Sequence, residues 1–135
     1  MKTTRKMTLS VFATILLVFA AATSAFALEI IPYADSVFDS ATISLSTTKT
    51  ATFSAITYEI ASSISVKSVK LEKMVNNVWM DAGTLTAPSK VAANTIGYTA
   101  SMSYSSNIGT GTYRIKATFN ADGYEVTRYS NSRAY

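Results

Sequence analysis

The stretch Ile96-Gly97-Tyr98-Thr99-Ala100-Ser101-Met102-Ser103-Tyr104-Ser105 alternates apolar with small or polar residues for ten positions. A period of two puts one set of side chains on each face of an extended chain, so this segment reads as a β-strand with one apolar and one polar face. A second segment does the same, with Tyr113, Ile115, Ala117 and Phe119 set against Arg114, Lys116 and Thr118. Both predict half-buried antiparallel strands.

Working outward, Ile43 and Leu45 alternate with Thr42, Ser44 and Ser46. A strand from about Thr50 to Ile60 carries Phe53 and Ala55, then Ile56, Tyr58 and Ile60. The switch of face from Phe53 and Ala55 to Ile56, Tyr58 and Ile60 implies a bulge or bend near Ala55. Val66, Val69 and Leu71 lead to Met74, and Asn76-Asn77 turns the chain into Val78-Trp79-Met80 as a hairpin. A two-residue turn there would set Glu72 opposite Asp81. A three-residue loop would instead set Lys73 opposite Asp81, and cross-strand charge pairing favours this second register. Thr86 to Asn94, with Pro88, is the longest expected loop, and Asn120-Ala121-Asp122-Gly123 turns the penultimate strand into the last, Tyr124 to Tyr129. About seven short strands at this spacing predict a single antiparallel Greek-key β-sandwich.

The N-terminus predicts export. Lys2, Arg5 and Lys6 precede the largely apolar run Met7 to Ala22, and Ala25-Phe26-Ala27 fits a signal-peptidase site, so residues 1–27 read as a signal peptide with the alternative of an uncleaved anchor. Residues 28–40 then form an N-terminal extended segment and 41–135 the sandwich. Three of the twelve basic residues lie in the leader, leaving nine bases against eight acids. So small a net charge, with the bases scattered, provides no field for nucleic acid or, after cleavage, for a membrane surface. There is no cysteine and no histidine, which excludes disulfides, thiolate metal sites and histidine-activated nucleophiles. About 100 residues can still bury somewhat over 60% of the unfolded surface without such staples.

The hairpin Val69-Lys70-Leu71-Glu72-Lys73-Met74-Val75-Asn76-Asn77-Val78-Trp79, and the strand Gly111-Thr112-Tyr113-Arg114-Ile115-Lys116-Ala117 with its closing Ser130-Asn131-Ser132, together resemble bacterial immunoglobulin-like or fibronectin type III-like modules. The chain as a whole is similar to small secreted proteins of Gram-positive bacteria grouped as domains of unknown function. The resemblance implies an immunoglobulin-like sandwich, a tyrosine corner at Tyr113, and Ile115 where an antibody domain has its second cysteine. It implies no activity.

No catalytic residue, metal ligand or cofactor site is expected. Ser46-Thr47-Thr48-Lys49 fits a Ser-x-x-Lys pattern but lies in a turn and lacks its companion motifs. None of the carboxylates Glu29, Asp35, Asp39, Glu59, Glu72, Asp81, Asp122 and Glu125 is singled out as a hydrolytic pair. Asn120 to Gly123 reads as a hairpin turn, since a calcium site would need more acidic ligands. The expected function is a secreted, non-catalytic module acting by surface binding or self-association, with a protein or glycan partner at the cell surface. The alternative is a carbohydrate-binding module using exposed aromatics, for which Trp79, Tyr124 and Tyr129 are the candidates.

Overall fold

A computed structural model describes residues 36–104 and 108–135. The expected signal peptide, most of the 28–40 segment and Ser105 lie outside the described residues. The described chain is all-β and antiparallel, with strands β1 (Phe38–Leu45), β2 (Thr50–Val75), β3 (Val78–Leu85), β4 (Val91–Ser103), β5 (Thr112–Ala121), β6 (Tyr124–Tyr129) and β7 (Arg133–Ala134). All seven join one hydrogen-bonded sheet.

The organising element is β2, 26 residues long. Its first half lies between β1, as Ile43 opposite Phe53, and β4, as Phe53 opposite Ala100. Its second half lies between β5, as Leu71 opposite Ile115, and β3, as Val69 opposite Leu85. β3 and β4 therefore form one interrupted return strand along one edge of β2, and β1 and β5 share the other edge. The loop expected over Thr86 to Asn94 shrinks to residues 86–90, because β4 begins at Val91.

The expected change of face at Ala55 does not occur. Ala51, Phe53, Ala55 and Thr57 all point inward, and Ile56, Tyr58 and Ile60 are exposed. The irregularity comes later, where the pairing of β2 with β4 slips between Ile56 and Ala61, and it comes again opposite β5 between Val66 and Ser68. The Thr57 hydroxyl donates to the Glu59 carbonyl at 2.7 Å, tying the first bend to its own backbone. Bulges of this kind bend a strand and let one sheet turn across its own face. The inner side chains of the two halves then meet, with Phe53 of β2 edge-on to Phe119 of β5 at 6.3 Å between ring centroids. Ile64, Val69, Ile115 and these two rings are the largest fully buried side chains.

The β2–β3 hairpin forms as expected at Asn76-Asn77, but in the other register. The turn has two residues, with φ of 50° at Asn76 and 63° at Asn77, and Glu72 stands opposite Asp81. Two left-handed residues make the tight turn whose twist matches the flanking strands, and asparagine tolerates that conformation. The like charges are separated by other partners: Glu72 accepts from Arg114 Nε at 2.6 Å, and Asp81 pairs with Lys70 at 3.1 Å. Asn77→Gly should raise unfolding free energy by ~0.5 kcal/mol, since glycine adopts a positive φ at no steric cost. Urea denaturation of the two proteins checks this.

The C-terminal residues close the open side of the sheet. Tyr135 exchanges two backbone hydrogen bonds with Gly111, at 2.8 and 2.9 Å. The Leu45 amide donates to Asn131 Oδ1 at 2.8 Å, and its carbonyl accepts from Arg133 Nε at 3.0 Å, so side chains occupy the end of β1 where a further strand would pair. The Tyr135 hydroxyl donates to the Ser46 carbonyl at 2.8 Å and also meets the buried Tyr104 hydroxyl. Gly111 has φ of 152°, a backbone conformation that favours glycine, whereas the end of the Lys73 side chain that a Cβ would meet there is free to move aside.

Candidate functional site

The candidate aromatics separate into two places. Trp79 on β3 pairs with Met74, Glu72 pairs with Arg114, and Lys116 pairs with Tyr129. These registers place Trp79, Arg114 and Tyr129 on one outward face across four strands. The Arg114 guanidinium sits 4.4 Å from the Trp79 ring centroid and 4.3 Å from that of Tyr129, so one cation bridges both rings. Arginine is suited to this because its planar, weakly hydrated head stacks on aromatic faces. Glu72 fixes the head in place, and both members of this ion pair are largely shielded, at 23% and 15% side-chain exposure. Lys116 approaches the Tyr129 ring at 5.7 Å. One face of each ring is thus already occupied by a cation.

Tyr124 lies elsewhere. With Val37, Tyr58, Glu59, Ile60 and Asp122 it lines an open cleft of about 280 Å³. Tyr58 is 62% and Ile60 73% exposed, so the cleft has an apolar rim that the sequence had assigned to the core. Asp122 serves as a clamp: its carboxylate accepts the Ser62 and Ser63 amides at 2.9 and 2.8 Å, tying the β5–β6 turn to the bend in β2.

Those two amides hold the Asp122 carboxyl below its usual value. The Gly83 amide, followed by Lys70, does the same for Asp81, and Lys67 does so for Glu125. A carboxyl depressed in the folded state contributes stability above its unfolded pKa of about 4, and that contribution is lost as pH falls through the folded value. The chain should therefore become easier to denature below about pH 4, and Asp122→Asn should flatten part of that fall. Urea midpoints measured from pH 7 to pH 2 test it. A variant whose midpoint falls as steeply as wild type would disprove the clamp.

A third surface is set by the outward residues of β1, the first half of β2, and β4. The registers align Ser44, Thr52 and Ser101 in one row, Thr42, Ser54 and Thr99 in the next, and Ser40, Ile56 and Gly97 in a third. The Thr52 and Ser101 hydroxyls bond at 3.2 Å. No charged residue stands in these rows, in contrast to the ion-paired face built around Arg114. Among the described residues, no group of three or more acidic side chains could hold a metal ion.

The sequence did not reveal Arg114 as the centre of the aromatic face. Its alternation marked it as outward, but the bridge depends on how four strands align. This face and this topology define an all-β, antiparallel, cysteine-free protein with an aromatic–cationic outer surface. Compared with known protein families, curated proteins and solved structures, the chain matches none.

Proposed function

We propose that this protein is a secreted, immunoglobulin-like β-sandwich module that acts without catalysis, by binding a partner at the cell surface or by self-association. The observation that carries this reading is the tip of the β2–β3 hairpin, where Val75, Val78 and Met80 are 43%, 57% and 52% exposed together on the face opposite the Trp79–Arg114–Tyr129 stack. Exposed apolar side chains gathered at one place, with a polar rim, are what a protein-binding surface presents. Tyr113 supports the sandwich reading, since its hydroxyl donates back to the Gly109 carbonyl at 2.8 Å as a tyrosine corner would. The test is co-sedimentation of Leu28 to Tyr135 with envelopes of the cells that export it, with Val78→Ser/Met80→Ser in parallel. Loss of binding in the double variant is expected, and equal binding would exclude the hairpin tip.

One observation favours carbohydrate as the ligand: the cleft places the exposed Tyr58 and Tyr124 rings beside Glu59. Rings with neighbouring acceptors can stack on a sugar and bond its hydroxyls. Titration with soluble polysaccharides, comparing wild type with Tyr58→Ala, separates this reading from the first.

A further inference from the structure

We infer that the free edge of β4, from Gly97 to Ser103, pairs with the same edge of a second copy of this chain. This deepens the self-association branch of the reading above and rests on it. Among the described residues β4 pairs only with β2, so its other edge carries backbone donors and acceptors with no strand partner there. The direction of these groups follows from three bonds. The Tyr104 amide donates to Lys49 on the inner side, whereas the Gly97 amide is met by its neighbour Thr95 Oγ1 at 3.2 Å, and Lys90 Nζ reaches the Thr99 carbonyl at 2.7 Å. Even-numbered residues thus bond towards the body of the sheet. Residues 97, 99, 101 and 103 present their amides and carbonyls outward.

Side chains cap this edge at the Gly97 amide and the Thr99 carbonyl and leave the groups of Ser101 and Ser103 open. Other edges are protected in ways that β4 is not. Asn131 and Arg133 bond the end of β1, β6 carries Glu125 and Arg128, and β3 carries Asp81, which would face its own copy in an antiparallel pairing. Over its 13 residues β4 has no charged side chain and no proline. Two copies related by a two-fold axis therefore set no like-charged strand residues opposite each other once each Lys90 releases the Thr99 carbonyl to its new partner, and an isologous contact of this kind closes as a dimer. Centring the axis on Ser101 places Thr99 opposite Ser103 of the other copy and makes the uncharged rows of hydroxyls continuous across six strands.

Ser101→Pro is the direct test, because proline there removes an outward amide that plays no part in the β2–β4 ladder, and edge strands tolerate proline at such positions. Sedimentation velocity of Leu28 to Tyr135 should show a reversible dimer, and Ser101→Pro should be monomeric with an unchanged far-ultraviolet spectrum. In this cysteine-free chain, Ser101→Cys should form an inter-copy disulfide under mild oxidation, since directly opposed residues lie ~5.5 Å apart at Cα, within disulfide reach. A wild type monomeric at about 1 mM, or no cross-link through Cys at 101 in a dimeric sample, overturns the inference. So does a dimer that survives Ser101→Pro and is lost in Val78→Ser/Met80→Ser, but that result leaves self-association itself standing at the hairpin tip.

Discussion

Replacing Phe119 with alanine lowers the unfolding free energy by about 3–5 kcal/mol, the largest effect expected of any single substitution in this chain. Phe119 is fully buried, and its ring meets Phe53 edge-on at 6.3 Å. It stands on β5, which pairs with the second half of β2, whereas Phe53 stands on the first half. The contact therefore joins two parts of the sheet that the backbone ladder connects only through the bend that β2 makes together with its partner β4. Truncation removes buried hydrocarbon and leaves a cavity between them, and both effects destabilise. A small domain with no disulfide commonly has only 5–15 kcal/mol of total stability, so the variant should be partly unfolded at 37 °C. Urea denaturation followed by Trp79 fluorescence measures the change. A loss below about 1 kcal/mol would mean that the two halves do not pack through these rings.

Tyr113→Phe and Tyr98→Phe are the same chemical change with opposite expected outcomes. Both rings are buried at 3% exposure. The Tyr113 hydroxyl donates to the Gly109 carbonyl at 2.8 Å and pins the loop ahead of β5, so its removal should cost ~1–2 kcal/mol. Among the described residues the Tyr98 hydroxyl is buried with no hydrogen bond of ordinary geometry. Burial raises its pKa, and a weak, poorly aligned hydrogen bond with the Val66 backbone offsets this only in part. Removing an unsatisfied polar atom should be neutral or stabilising by up to ~1 kcal/mol. Parallel denaturation of both variants decides the matter, and equal losses would contradict the hydrogen-bond assignment.

The strands on either side of these tyrosines were legible because alternation survives in sequence whatever the partner strand. Tyr98, Ala100 and Tyr104 are buried as that pattern requires, with Met102 half-buried and Ile96 at the start of the series exposed, and Tyr113, Ile115, Ala117 and Phe119 are buried as well. The turn at Asn76-Asn77 was legible for a local reason, since few residues adopt two successive left-handed conformations. Its register was misjudged. The charge argument compared Glu72 and Lys73 with Asp81 alone, but Glu72 is neutralised by Arg114 from a strand 42 residues away. The face of Ile56, Tyr58 and Ile60 was misread for a similar reason, because apolar character does not say which side of a bent strand has a layer to pack against.

By itself, then, the sequence determined the antiparallel strand character, the positions of the tight turns, the absence of any disulfide, and which residues alternate. These properties depend on neighbours one to four residues apart. Only the tertiary structure decided that β2 would bend after Thr57 to share both its edges with four strands, that Arg114 would lie between Trp79 and Tyr129, and that β4 would be left with an open edge. Each of these depends on pairing between distant segments. A slip of one residue in any register would have turned the same side chains to the opposite face.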